Sequence, residues 1–243
     1  MSYCAIRPIP LGQWTTDKSM VTYRMDFGQP TTLVGYVWYI EGPKDKILVD
    51  AGVSCEYLSK IRGMPATEIQ SLEYGLKEFS LTPDDIDLVI ITHLHSDHVA
   101  EGHKFSKAKF LIQKDELEFA RQPHPTVAAQ YPSEFFEGLN FEAISGDMEI
   151  CDGISVLNTP GHTPGGQSIS ISTSRGVAII SGICSCRDNF EPPKPFAKDT
   201  SVYPFGIFVN LFEMYDSLLR IKEEADIVIP IHDPEYTHIR CIP

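Results

Sequence analysis

Thr92-His93-Leu94-His95-Ser96-Asp97-His98 is the stretch on which the reading of this chain turns. The apolar run Leu88-Val89-Ile90-Ile91 precedes it and is short enough for a buried strand. Three imidazoles and a carboxylate therefore crowd together just past a strand end. They serve no core, and imidazoles so close repel one another when protonated. A divalent cation gives that density a physical reason, because neutral imidazole and carboxylate both suit zinc and similar ions. A plain solvated loop has no need of His-x-His-x-Asp-His in this context.

Upstream, Lys46-Ile47-Leu48-Val49 reads as a strand ending at Asp50-Ala51-Gly52. Asp50 is either an ordinary turn carboxylate or the group that orients a metal-ligating histidine through a hydrogen bond. Thr32 to Ile40, rich in β-branched and aromatic residues, is a further strand, with Gly42-Pro43 marking the turn between the two. Pro8, Pro10, Gly12 and Pro30 break residues 1–30 into an expected irregular arm. Its Trp14, Tyr23 and Phe27 either cover the main body or wall a substrate pocket. Ile69, Leu72, Leu76 and Phe79 repeat at helical spacing and predict an amphipathic helix over about 66–79. Thr82-Pro83-Asp84-Asp85 then has the cap, proline and acids of a short helix start.

Downstream, Lys109 to Gln113 predicts a strand and Asp115 the start of a helix, followed by a long loop to Gly138, with or without a short helix. Asp152-Gly153 joins two strands of a hairpin. The second strand runs into Thr159-Pro160-Gly161-His162-Thr163-Pro164-Gly165-Gly166, a tight loop that holds one imidazole in its middle. Gln167 to Ser172 and Val177 to Ile180 are further strands. Residues 187–206 form a proline-rich loop with Phe190, Phe196, Tyr203 and Phe205; loops of that length without regular structure are often functional. Leu211, Met214, Leu218 and Ile221 mark a helix, and Asp226 to Ile231 a last buried strand ending at His232-Asp233. No internal repeat or linker interrupts the chain, so residues 1–243 read as a single domain of mixed α/β class.

A formal net charge of −13 argues against nucleic acid as a partner, since phosphate backbones are bound by clustered Lys and Arg. A small anionic substrate is not excluded, because a metal ion dominates its local field. No signal peptide or membrane-length apolar run is expected. Six cysteines in 243 residues do not make a disulfide scaffold, which points to a reducing, cytoplasmic setting.

Three strand-end loops thus offer metal ligands: His93-x-His95-x-Asp97-His98, His162 and His232. In this order, with Ile47-Leu48-Val49-Asp50-Ala51-Gly52 upstream, they resemble the metallo-β-lactamase-fold hydrolase superfamily. The Thr159–Ser168 loop and His232-Asp233-Pro234-Glu235 look most like its N-acyl homoserine lactonase and pyridoxolactonase branch. The resemblance implies a four-layer αβ/βα sandwich of two mixed β-sheets flanked by helices, with two divalent metal ions at one edge. The ions are expected to be Zn2+, with Fe or Mn as alternatives. His93, His95 and His162 would hold the first ion and Asp97, His98 and His232 the second. Asp50 falls where the family keeps an aspartate close behind the ligands. The implied chemistry is attack on a lactone or related cyclic ester by a metal-bound hydroxide, with Asp97 orienting it or shuttling a proton.

The chain departs from the family pattern twice. Where the family supplies a metal-bridging aspartate, this chain has Ile183 and Cys184. A thiolate is a good zinc ligand, so Cys184 is expected as a ligand, with Cys186 as its substitute. Where lactonases of this branch carry a tyrosine, it has Arg187; Tyr203 is the candidate replacement. The proline-rich loop and the N-terminal arm are expected to meet over the site, with Phe196, Tyr203 and Phe205 in the substrate pocket. Hydrolysis of a thioester, amide or β-lactam, redox chemistry at an iron pair, and ligand binding without turnover are the competing readings. His103, His124 and His238 read as surface or structural.

Overall fold

The structure, a computed structural model, describes residues 3–183, 186–192, 198 and 200–243. Two β-sheets face each other. The first has seven strands in the order β4-β1-β2-β3-β5-β6-β7: β1 Ala5–Asp17, β2 Pro30–Glu41, β3 Ile47–Val49, β4 Ala66–Glu68, β5 Leu88–Ile90, β6 Lys109–Gln113 and β7 Phe141–Ile144. The second has five in the order β12-β11-β10-β9-β8: β8 Met148–Cys151, β9 Ile154–Asn158, β10 Gln167–Thr173, β11 Gly176–Ser181 and β12 Ile227–Pro230.

Strand alternation sends successive side chains to opposite faces. Along β2, Val34, Tyr36, Trp38 and Ile40 face the second sheet and meet Ile154, Val156, Ile169, Ile171 and Ile180. Leu33, Val37 and Tyr39 face outward and pack under Leu58, Leu72 and Leu76. Those come from helices α1 (Cys55–Lys60) and α2 (Leu72–Lys77). On the far side α6 (Leu211–Glu224) lays Met214, Leu218 and Ile221 against the outer face of the second sheet. The layers therefore run helix, sheet, sheet, helix, as the resemblance implied.

Strands β3, β5, β6 and β7 are mutually parallel, as are β11 and β12. Their carboxyl ends gather along one edge of the sandwich, where α/β sheets place ligands. α3 (Ser96–Val99) and α4 (Lys114–Arg121) start there, past β5 and β6, and α5 (Ser133–Phe136) follows. No helix of the described residues is long and apolar enough to cross a membrane.

Two expectations are corrected. The N-terminal stretch is a 13-residue strand, not an irregular arm, and pairs with β2 from Ala5↔Glu41 to Asp17↔Pro30. The N–H of Ile6 points away from β2, to Ile242 O at 2.8 Å. Pro8 and Pro10 share that parity, so their missing donors fall on the side where β4 does not reach. Likewise 66–79 is not one helix. Ala66–Glu68 pairs with β1 at Gly12–Trp14, and α2 begins only after Ser71, whose side chain caps Tyr74 N.

Candidate metal centre

The edge where the strands end brings the six expected histidine and aspartate ligands together as two groups of three. His93, His95 and His162 form one; Asp97, His98 and His232 form the other. Within each group the candidate ligand atoms lie within 4.8 Å of one another. His93 leaves β5 after Thr92, His95 caps α3, and Asp97 and His98 sit on its first turn. His162 comes from the loop between β9 and β10, and His232 from the end of β12.

Hydrogen bonds fix the rings. His162 Nδ1–H donates to Ile207 O (2.8 Å) and His232 Nδ1–H to Val34 O (2.9 Å). His98 Nδ1–H donates to Asp50 Oδ2 (2.7 Å). The Thr92 hydroxyl donates to Asp50, leaving its oxygen to accept from His93 Nδ1 at 3.1 Å. A carbonyl or carboxylate only accepts, so these rings carry a proton on Nδ1, and in their neutral form, the one a metal binds, they present a bare lone pair at Nε2. Yet the Nε2 atoms of His93 and His162 are 3.2 Å apart, and those of His98 and His232 are 3.1 Å apart. Two lone pairs facing each other repel unless a cation lies between them. Two nitrogens each bound to a tetrahedral zinc ion stand about 3.3 Å apart. The donor geometry therefore fits metal ions.

Electrostatics agree. Burial, with repulsion among the rings, holds His93 and His95 well below the ordinary imidazole range. Burial brings His162 and His232 down to about 4. These four are neutral near pH 7, the state a metal requires. Burial also disfavours charge on His98, but Asp50 and Asp97 outweigh it and raise that imidazole. Burial disfavours the Asp97 carboxylate, yet the neighbouring His98 and His232 hold its carboxyl below the usual range. Asp97 Oδ2 lies 3.5 Å from His232 Nε2 and 3.6 Å from His98 Nε2.

Asp50 stands at the end of β3 with φ 61°, a left-handed conformation that few side chains tolerate. From there its carboxylate accepts the Thr92 N–H (2.8 Å), the Thr92 hydroxyl and His98. Of the two open readings, the orienting one describes its contacts.

Two buried residues behind the ligands escaped the sequence reading. Glu116 splits its carboxylate between the ligand loops, with Oε1 accepting Leu94 N–H (2.9 Å) and Oε2 accepting Gly165 N–H (3.2 Å). Burial pushes its carboxyl up against the pull of those bonds. A Cβ on Gly165 would come 2.2 Å from Glu116 N, so that approach requires glycine. Gln167 joins the sheets, donating from Nε2 to Ile91 O (2.8 Å) and accepting from Gln113 Nε2 (2.9 Å). In the sequence, Glu116 reads as one of two acids in the first turn of a helix; only its burial sets it apart.

A cavity opens over both groups. Trp14, Met20, Leu33, Met64, Phe205 and Ile207 give it apolar walls. Trp14 stands edge-on to His232 (5.4 Å between centroids) and Phe205 to His162 (5.2 Å). The N-terminal segment and the late loop meet there, joined by Tyr23 N–H to Pro204 O (3.0 Å) and Gly206 N–H to Met20 O (3.2 Å).

Other expected site residues are placed differently. Tyr203 is not among the cavity-lining residues; its hydroxyl donates to Tyr23 O at 3.0 Å. Phe27 is 71% exposed and Phe190 belongs to the core. Arg187 turns away and pairs with Glu235. Cys186 caps a turn, its Sγ 3.5 Å from Asn189 Oδ1, and burial pushes its thiol up to about 12. Cys184 and Phe196 lie outside the described residues.

Comparison with known proteins agrees with this geometry. An N-acyl homoserine lactonase of Bacillus cereus is 29% identical over 93% of this chain and 92% of its own length. A Bacillus thuringiensis AiiA structure with N-decanoyl-L-homoserine at the active site superposes with a TM-score of 0.80 at 27% identity, covering 98% of this chain and 96% of that one. A structure of an N-acyl homoserine lactone hydrolase, with the product N-hexanoyl-L-homoserine at its catalytic metal centre, gives the same values. The model of the metallo-beta-lactamase superfamily matches residues 30–182, a span that holds Asp50, the whole His93–His98 motif and His162. With that match over more than half its length, on a helix–sheet–sheet–helix frame whose strand ends converge on two donor groups, the chain belongs to the metallo-β-lactamase superfamily.

Proposed function

We propose that this protein is a two-metal hydrolase that opens the ring of a lactone or related cyclic ester. The observation that carries the proposal is the pair of three-donor groups lying side by side beneath an apolar cavity. In this reading His93, His95 and His162 hold one divalent ion and Asp97, His98 and His232 the other. Imidazole-rich sets with tetrahedral spacing favour zinc. Cys184, by its place just past β11, is kept as a further ligand. Bound there, the ions supply a water-derived nucleophile at neutral pH and polarise the carbonyl under attack.

The chain's own groups do the rest. Asp97 is the one carboxylate among the described residues lining the cavity. It is placed to take a proton from the attacking water and return it to the leaving ring oxygen. Asp50, Thr92 and the carbonyls of Val34 and Ile207 hold the imidazoles in the tautomer that leaves Nε2 bare. The apolar walls seat the substrate's hydrocarbon part and exclude bulk water. No tyrosine is among the described residues that line the cavity. That the relatives are N-acyl homoserine lactonases supports lactones over other acyl bonds. The free thiols Cys4, Cys55, Cys151, Cys186 and Cys241 fit a cytoplasmic enzyme acting as one domain on a small molecule.

The test is a panel of γ-butyrolactones, thioesters, amides and β-lactams offered to zinc-loaded protein, with acid release followed by a pH indicator. Lactone opening that a chelator abolishes supports the reading. Turnover confined to another class, or turnover in metal-free protein, overturns it.

A further inference from the structure

The cavity over the donor groups carries a charge that metal binding does not use. Arg62 is the one Arg or Lys among the described residues that line it. It stands in the turn after α1, half-buried, with its backbone N–H on Tyr57 O at 3.2 Å. Carboxylates are plentiful here, 33 against 20 Lys and Arg; Arg7 pairs with one of them, and Arg187 and Arg220 with two each. Arg62 pairs with none among the described residues. Its side chain donates from Nη1 to Ala129 O at 3.5 Å, the outer limit of a hydrogen bond. That carbonyl already accepts the Tyr57 hydroxyl at 3.1 Å, so it has no need of Arg62.

A guanidinium carries five N–H donors in a planar fork that matches a carboxylate. Nearly all of that capacity is left over at the wall of the cavity. The long bond to Ala129 O is the one side-chain hydrogen bond Arg62 makes among the described residues, and a carboxylate arriving with a ligand would give the guanidinium a charge-assisted partner. The rest of the cavity lining is mostly apolar, with Thr16 and Gln130 as its uncharged polar side chains, which suits a short hydrocarbon spacer. We propose that Arg62 is a substrate-binding residue that selects lactones whose side arm ends in a carboxylate. The ring sits at the donor groups and the carboxylate sits on the Arg62 fork. This inference rests on the lactone-hydrolase reading.

Two probes differing at one atom group test it: α-(succinylamino)-γ-butyrolactone and its terminal primary amide. Zinc-loaded wild type should favour the carboxylate about tenfold, mainly through KM, as an ion-paired hydrogen bond in a partly closed site allows. Added salt should shrink that preference. Arg62→Gln should remove it, Arg62→Lys should keep part of it, and Arg62→Glu should reverse it. Calorimetric titration of the matching γ-butyrolactams reads the same preference in binding alone. If neither lactone is opened, the hydrolase reading fails and the lactam titration still decides the role of Arg62. Equal affinity for the two arms in wild type, or a preference that survives Arg62→Gln, overturns the inference.

Discussion

His98 Nδ1 and Asp50 Oδ2 stand 2.7 Å apart, with side chains 2% and 0% exposed. In the proposed site the carboxylate would act on the second metal through the ring it orients. Asp50→Asn keeps the shape but replaces one accepting oxygen with a donor. Affinity for the second ion should fall by ten- to a hundredfold, the usual effect of losing a group that orients a ligand. Chelator competition with a metal indicator measures it; unchanged affinity at both sites would sink the idea.

Glu116 holds the His93–His95 loop and the His162 loop by one oxygen each. Glu116→Gln can satisfy only one of Leu94 N–H and Gly165 N–H. Stability should fall by about 1–3 kcal/mol, the cost of an unmet buried donor. The first ion should be lost before the second, as judged by metal titration beside denaturant unfolding. Loss of the second ion first would contradict this placement.

Asp97→Asn should lower turnover at least about a hundredfold, typical of losing a positioned acid–base group. Far-ultraviolet circular dichroism should be unchanged, because the substitution keeps the size and shape of the side chain. Full turnover with full metal content would remove Asp97 from the reaction.

The metal-free protein should lose stability as pH falls from about 6.5 to about 4. His162 and His232 titrate near 4 in the folded chain and near 6.5 when unfolded. Within that window the unfolded chain binds more protons, so acid favours unfolding. His93 and His95 shift the same way. His98, raised in the folded chain, contributes stability that is already complete below about 6.5, so it does not change the slope across this window. Thermal melts with chelator at stepped pH give the profile, and a flat line across the window would refute it.

Phe205→Ala and Trp14→Ala should each raise KM for a lactone by about tenfold while kcat moves less, because removing an apolar wall weakens ground-state binding. If both variants lower only the melting temperature, the two rings are cover.

The metal centre was legible because its chemistry is local. Four ligands fall within six residues after a buried strand, and no packing need explains them. The frame was legible where apolar runs were unambiguous, as at β3, β5 and β12. It was illegible where partners decided the outcome. Pro8 and Pro10 break a strand only if the missing donors face a neighbour, and here they face an edge. Ala66–Glu68 runs into a helical stripe in sequence but takes its conformation from β1. Glu116 and Gln167 gain their roles from burial, and Arg187 is drawn off by Glu235.

The seam between residues 20–23 and 204–206 has a consequence for how substrate range could change. Trp14, Met20, Phe205 and Ile207 all lie outside residues 30–182, the part that carries the family pattern. Much of the apolar wall, though not Leu33 or Met64, is thus encoded apart from most of the expected metal donors. Mutation can remodel the walls while the cradle stays under its own constraint. Because main-chain hydrogen bonds stitch the two wall segments together, a change in one obliges the other to follow, and new specificities should arise as paired substitutions about 180 residues apart.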